Sequence, residues 1–113
     1  MNWHPLTEES QLDTIVKQSF QQPIIIFKHS TRCSISAMAK NRLERVEQPE
    51  NIPFYYLDLI RYRSLSNKIA EMFQVHHESP QVLLIKNGEC VYDESHSGID
   101  MTEIVEQSST SSD

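Results

Sequence analysis

The chain reads Ile24-Ile25-Ile26-Phe27-Lys28-His29-Ser30-Thr31-Arg32-Cys33-Ser34-Ile35-Ser36 where a strand pattern gives way to a helix pattern. The apolar residues 24–27 do not alternate with polar ones, which is typical of a strand covered on both faces. From Ser34 to Val46 the pattern is helical, with Ile35 predicted on the buried stripe. The sequence therefore predicts a buried strand, a short loop, and a helix that begins directly after Cys33.

Strands and helices alternate along the rest of the chain. The predicted elements are a helix capped by Thr7 and closed by Pro23, strand 24–27, helix 34–46, strand 54–59, helix 65–73, strand 82–85, strand 89–94 and a short helix from Asp100 to Val105. Asn87-Gly88 is a hairpin signal, so the last two strands are antiparallel, whereas the earlier strands need parallel crossovers. The predicted fold class is α/β, with a mixed four-stranded sheet and helices on both faces.

Length and charge limit the classes of function. The chain has 113 residues, 38% of them hydrophobic, which suits one small domain; we assign residues 1–106 to it and 107–113 to a frayed polar tail. The net charge of −6 argues against binding to nucleic acid or to an anionic membrane surface. The sequence carries no signal-peptide pattern, so the expected compartment is the cytoplasm.

Cysteine, histidine and glycine usage excludes several kinds of site. Two cysteines are too few for a disulfide framework or for a cysteine-only zinc site, and no Cys/His spacing matches a metal site. We therefore predict no metal ligands and no bound cofactor. The chain has only two glycines, Gly88 and Gly98, which excludes a glycine-rich phosphate loop.

Cys33 is the candidate nucleophile because of its position. A thiol at the start of a helix faces unpaired backbone N–H groups and the positive end of the helix dipole, and both stabilise a thiolate. Five cations between residues 28 and 45, opposed only by Glu44, favour the same state. Of these we expect Lys28 and Arg32 to support the site and Arg42 and Arg45 to lie on a solvated helix face. His29 is expected to add charge or to accept a proton.

Ser36 stands where a second cysteine of a Cys-x-x-Cys pair would be. The pair Cys33 and Ser36 cannot close a disulfide, so a thiol exchange enzyme of this kind needs an outside thiol to complete its cycle. We expect the Ser36 hydroxyl to donate a hydrogen bond to the Cys33 thiolate. Cys90, the other thiol, is predicted to be a packed strand residue.

Ser79-Pro80, directly before a strand, is the second candidate feature. A proline at the start of a strand needs no special role. In a thiol enzyme, however, a cis peptide bond here would place a backbone N–H and C=O beside the reactive sulfur. These groups could bind a thiol substrate as a short added strand.

These features resemble the thioredoxin-like superfamily, and within it the bacilliredoxin-like YtxJ family. That family usually carries His-Ser-Thr-x-Cys-Pro-Ile-Ser, and this chain has His29-Ser30-Thr31-Arg32-Cys33-Ser34-Ile35-Ser36. The resemblance extends from the first helix to Gly98, although the proline and the glycine are shared by the whole superfamily. Ser34 departs from the family's proline, and it leaves one more backbone N–H free to meet the thiolate.

The resemblance implies a monothiol bacilliredoxin, a thiol–disulfide oxidoreductase that removes the small thiol bacillithiol from mixed disulfides on client proteins. It would make Cys33 the nucleophile, Pro80 the cis-proline, bacillithiol the co-substrate and S-thiolated proteins the partners. Lys28 and Arg32 are then expected to pair with the carboxylates of the malate portion of bacillithiol.

Other functions stay open. One is an iron–sulfur-binding protein of the monothiol glutaredoxin kind, which has the same Cys-x-x-Ser spacing but a glycine that this chain lacks. Another is a non-catalytic thioredoxin-like binding module, and a third is a sensor in which an adduct on Cys33 reports oxidation.

Overall fold

The computed structural model describes residues 1–109. Its elements are β1 (Trp3–Pro5), α1 (Ser10–Gln18), β2 (Ile24–His29), α2 (Ser34–Glu44), β3 (Phe54–Asp58), α3 (Arg63–Phe73), β4 (Gln81–Lys86), β5 (Glu89–Ser95) and α4 (Met101–Ser108). A single 3-10 turn, His96–Gly98, lies between β5 and α4. Along residues 1–109, none of the helices is both long enough and apolar enough to cross a membrane.

The strands form one mixed sheet in the order β1-β3-β2-β4-β5. β1 and β2 are each parallel to β3, whereas β4 is antiparallel to β2 and β5 antiparallel to β4. The predicted α/β class and mixed sheet are confirmed. The predicted count of four strands is wrong, because the edge strand β1 adds a fifth. β1 is only three residues long and ends in a proline, so no alternating pattern marks it.

The central strand β2 is buried along its whole length, as predicted. Its side chains point alternately to the two faces of the sheet. Ile24 and Ile26 join the core under α1 and α3, and Ile25 and Phe27 join the core under α2 and α4. This alternation continues to the end of the strand and sends Lys28 and His29 to opposite faces.

The start of the first helix differs from the prediction. α1 begins at Ser10 with Glu9 as its N-cap residue, not at Thr7. The backbone N–H groups of Thr7 and Glu8 donate to Oε1 of Gln11 instead, at 2.8 and 2.9 Å. The Gln11 side chain therefore folds back and binds the backbone before the helix, and the N-cap residue itself makes no side-chain capping bond.

The last helix begins as predicted and ends later. Asp100 caps α4, because its carboxylate accepts the N–H of Glu103 at 3.2 Å. The helix continues through Ser108, so residues 107 and 108 of the predicted tail are helical. Residues 110–113 of that tail lie outside the described part of the chain.

Candidate thiol site

Cys33 is the N-cap residue of α2, with extended backbone angles of φ −113° and ψ 121°. Its N–H donates to Ser30 C=O at 3.1 Å, and its C=O accepts the N–H of Ala37 at 3.0 Å. The side chain is partly exposed and makes no capping hydrogen bond. The sulfur therefore lies at the N-terminal end of a helix, within reach of solvent, as the sequence predicts.

Ser36 lies under the Cys33 loop and is fully buried. Its Oγ accepts the N–H of Ser30 at 3.0 Å and lies 2.6 Å from Nδ1 of His29. These are its hydrogen bonds within residues 1–109, so the expected bond to the Cys33 sulfur is not formed. The bond is not formed because the Ser36 side chain points into the protein, on the buried stripe of α2 with Ala39 and Leu43. Ser36 fixes the loop that carries the thiol.

His29 is the other half of this buried contact. Its ring stacks on Phe27 with 5.7 Å between centroids and tilts against Tyr56 at 5.5 Å. Burial lowers the pKa of His29, and the nearby charge of Lys40 lowers it further, against a smaller opposing effect of Asp58. His29 is therefore a neutral ring at pH 7, so of its two expected roles, adding positive charge or accepting a proton, this environment disfavours the first.

Lys28 does not support the thiol in the way predicted. Its side chain is fully buried on the face of the sheet under α1 and α3, opposite to His29. The ammonium donates to Ser66 C=O at 3.2 Å, and burial lowers the pKa of Lys28 to about 8. A run of buried residues hides which of two successive side chains points to which face, which is why the sequence placed both beside Cys33. Lys28 cannot meet the carboxylates of a substrate bound at Cys33.

The other cations of this segment have different surroundings. Arg32 is exposed beside Cys33 and forms no ion pair within the described residues. Lys40 pairs with Glu44 at 2.7 Å. Arg42 donates to the carbonyl oxygens of His96 at 2.9 Å and Ile99 at 3.2 Å. Arg42 is thus half exposed rather than fully solvated, and its guanidinium connects α2 to the segment before α4.

Ser79-Pro80 is a cis peptide bond, as predicted. In the β2–β4 register Lys28 pairs with Gln81, so Pro80 lies beside the end of β2 where the Cys33 loop begins. The carbonyl of Pro80 accepts the N–H of His96 at 3.1 Å. Among the described residues the buried Oγ of Ser79 has no hydrogen-bond partner. The Cys33 loop, Ser79-Pro80 and the 3-10 turn thus gather at one end of the sheet.

An apolar groove, which no sequence pattern predicted, lies next to this end of the sheet. It is a cavity of about 380 Å³ lined by Ile35, Met38, Arg42, His96 and Ser97. Ile35 is 53% exposed and Met38 60% exposed. Ile35 was predicted to be buried, but the buried stripe of α2 is one residue further on, at Ser36. The sequence signal that could have indicated the groove is the presence of two large apolar residues, Ile35 and Met38, within about one helical turn of the candidate nucleophile.

Cys90 has a different environment from Cys33. It packs against the core under α1 and α3, on the face opposite to α2, and its Sγ donates to Tyr92 C=O at 3.3 Å. Burial raises the pKa of Cys90 to about 11. Both cysteines are free thiols in this structure. Cys90 is thus a packed strand residue whose thiol stays protonated at neutral pH.

Alkylation is expected to distinguish the two thiols. With a pKa of about 11, only about one Cys90 side chain in 10,000 is a thiolate at pH 7. Brief treatment of the folded protein with iodoacetamide at pH 7 is expected to modify Cys33 at least about tenfold faster than Cys90. Peptide mass spectrometry measures both rates in one sample, and unfolding in urea is the control that should equalise them. Faster labelling of Cys90 would contradict the assignment.

Comparison with known proteins agrees with this architecture. A family model described as "Monothiol bacilliredoxin BrxC" matches residues 4–104. A solved protein with a thioredoxin fold is similar to this chain at 29% identity with a TM-score of 0.80, over 92% of this chain and 91% of that one.

More distant thioredoxins share the fold. The N21Q mutant thioredoxin from Halobacterium salinarum is 14% identical, with a TM-score of 0.71 over 99% of this chain and 95% of that one. Thioredoxin from Fasciola hepatica is 16% identical, with a TM-score of 0.72 over 92% and 94% of the two chains. The mixed sheet and the helices on both faces are thus those of the thioredoxin fold.

Proposed function

The chain belongs to the monothiol bacilliredoxin BrxC family, and from that membership we propose that it removes bacillithiol from mixed disulfides on client proteins, with Cys33 as the nucleophile. The family and the fold are those of thiol oxidoreductases. The observation that carries the proposal is the partly exposed Cys33 at the start of α2, with the buried Ser36 where a resolving cysteine would be.

The proposed reaction has two exchange steps. The Cys33 thiolate attacks the bacillithiol sulfur of the mixed disulfide, the old S–S bond breaks, and the client leaves as a thiolate that takes up a proton. Cys33 then carries bacillithiol in a new disulfide. A second bacillithiol thiolate then attacks the bacillithiol sulfur of that adduct. The Cys33 thiolate is the leaving group, and bacillithiol disulfide is released. Over the two steps, one free bacillithiol is consumed and one client thiol is restored, and the mixed disulfide is exchanged for bacillithiol disulfide, so no further oxidant or reductant is needed.

An outside thiol is needed because this chain offers no internal one. Cys90 lies on the opposite face of the sheet from α2 and is protonated at neutral pH. Ser36 cannot form a disulfide, and its hydroxyl is held by Ser30 and His29. These contacts support a monothiol cycle rather than a dithiol one.

Three features are proposed to bind the substrate. The exposed Arg32 pairs with the carboxylates of bacillithiol. The backbone N–H and C=O of Ser79 pair with an extended client segment, since Pro80 has no N–H and its C=O accepts the N–H of His96. The groove at Ile35 and Met38 receives an apolar client side chain. We place the reaction in the cytoplasm, where thiols are kept reduced.

The direct test is an exchange assay with the purified protein. A peptide carrying one bacillithiol mixed disulfide is mixed with the protein and excess bacillithiol, and the loss of the adduct is followed by mass spectrometry. We expect removal at least about 100-fold faster than without the protein. A matched glutathione peptide is the control for the small thiol. If neither adduct is removed, the exchange function is wrong, and if glutathione leaves as fast, the specificity for bacillithiol is wrong.

A further inference from the structure

Lys28 is a buried cation that the proposed chemistry does not use. Its side chain has no exposed surface, and no carboxylate within residues 1–109 forms a salt bridge with it. An ammonium without a counter-charge is expensive to bury, so such groups are rare and need a specific set of hydrogen bonds. The hydrogen-bond contacts of Lys28 should therefore indicate what a lysine does at this position of the central strand.

Those contacts join β2 to two other segments. Nζ of Lys28 donates to Ser66 C=O in α3 at 3.2 Å and lies 3.4 Å from Nδ1 of His77. An ammonium can only donate, so Nδ1 of His77 must be the acceptor, and this imidazole is neutral with its proton on Nε2. In agreement, burial lowers the pKa of His77, and the charge of Lys28 lowers it further. His77 lies in the loop that leads to Ser79-Pro80.

Gln81 reaches the same loop from the neighbouring strand. It is directly opposite Lys28 in the β2–β4 register and is also fully buried. Its Nε2 donates to His76 C=O at 2.9 Å, and its Oε1 accepts the N–H of Glu78 at 3.4 Å. Two adjacent buried polar side chains thus bind three successive residues, 76–78, directly before Ser79.

We propose that Lys28, together with Gln81, is a positioning residue that holds the Ser79-Pro80 segment in place from the face of the sheet opposite to α2. The role rests on the proposed function, in which the backbone of that segment binds the client. Stability alone does not explain the lysine, because even buried ion pairs can often be replaced by apolar side chains of similar volume without loss of stability, and Lys28 forms no such pair within residues 1–109.

The test compares Lys28→Met with wild type in two measurements. Amide hydrogen exchange at residues 76–79 is expected to be about tenfold faster in the variant, while β4 and α2 stay protected. In the exchange assay, KM for the peptide mixed disulfide is expected to rise about tenfold, with kcat and the rate of Cys33 alkylation within about twofold of wild type. Lys68→Met, at a partly exposed position on α3, is the matched control and should change neither.

His77→Leu removes the acceptor from the loop without changing the sheet, so it should reproduce both effects even if Lys28→Met does not fold. Wild-type hydrogen exchange at residues 76–79 in either folded variant would overturn the proposal. Faster exchange with an unchanged KM would also overturn it, because the loop would then not position the client. If wild type itself shows no thiol exchange activity, the proposed function fails, and the hydrogen exchange result still decides whether Lys28 holds the loop.

Discussion

Replacement of Cys33 by serine is expected to lower the rate of bacillithiol removal by at least about 1,000-fold. A serine hydroxyl is not ionised at neutral pH and cannot form a disulfide, so the first step has no nucleophile and no adduct forms for the second step. The loop itself should keep its shape, because the hydrogen bonds at this position are made by the backbone N–H and C=O of residue 33. The measurement is the initial rate of adduct loss from the peptide mixed disulfide, with circular dichroism to show that the variant is folded.

Cys90→Ser is the matched control for this variant. Its thiol is protonated at neutral pH and lies on the opposite face of the sheet from α2, so its removal is expected to change the rate by less than about twofold. Near-complete loss of activity in Cys90→Ser, with activity retained in Cys33→Ser, would reverse the assignment of the nucleophile.

Local sequence patterns were sufficient to predict most of the helices and strands. The apolar run before Lys28, the helical spacing after Cys33 and the hairpin signal Asn87-Gly88 each depend on neighbouring residues, and each predicted the right kind of element. The edge strand β1 did not follow from such a pattern, because three residues that end in proline have no period to read. Trp3–Pro5 pairs with the edge of β3, some 50 residues away, so the strand depends on a contact that local sequence does not show.

The main error at the candidate site concerned the directions in which side chains were predicted to point. Along the buried strand β2, composition does not show which residues face α2, and Lys28 and His29 were both placed beside Cys33. The same kind of error occurred on α2, where the predicted buried stripe was shifted by one residue. Ile35 was predicted to be buried, whereas Ile35 is exposed and Ser36 is buried. Side chains that differ by one position point to different surfaces in both elements, so only the three-dimensional structure separates them.

The corrected directions define two polar networks, one on each face of the sheet. On the face under α2, His29 and Ser36 hold the loop that carries Cys33. On the other face, Lys28 and Gln81 hold the loop that leads to Ser79-Pro80. The two networks start from neighbouring residues of β2 and fix the two segments that meet at the candidate site. The placement of the thiol relative to the Ser79-Pro80 backbone therefore depends on how firmly β2 is packed.

Phe27→Ala tests this dependence and is expected to have the largest effect on stability. Phe27 is fully buried, with its ring 5.4 Å from that of Trp3 and 5.7 Å from that of His29. Loss of the ring leaves a cavity in the centre of the sheet, which lowers the free energy of unfolding by about 3–5 kcal/mol. Domains of this size are stable by only about 5–15 kcal/mol, so the substitution removes a large part of the stability and should lower the melting temperature clearly.

Urea denaturation followed by the fluorescence of Trp3, the single tryptophan of the chain, measures the change. Phe27→Leu is the control, because a smaller change in volume should cost less than about 1.5 kcal/mol. In the folded fraction of Phe27→Ala, His29 has lost a stacking partner, so faster hydrogen exchange is expected in the loop 30–33. A loss of stability below about 1 kcal/mol would contradict the central position of Phe27. If stability falls by about 3–5 kcal/mol, as expected, but hydrogen exchange in the loop 30–33 is unchanged, Ser36 and α2 hold the thiol without help from β2.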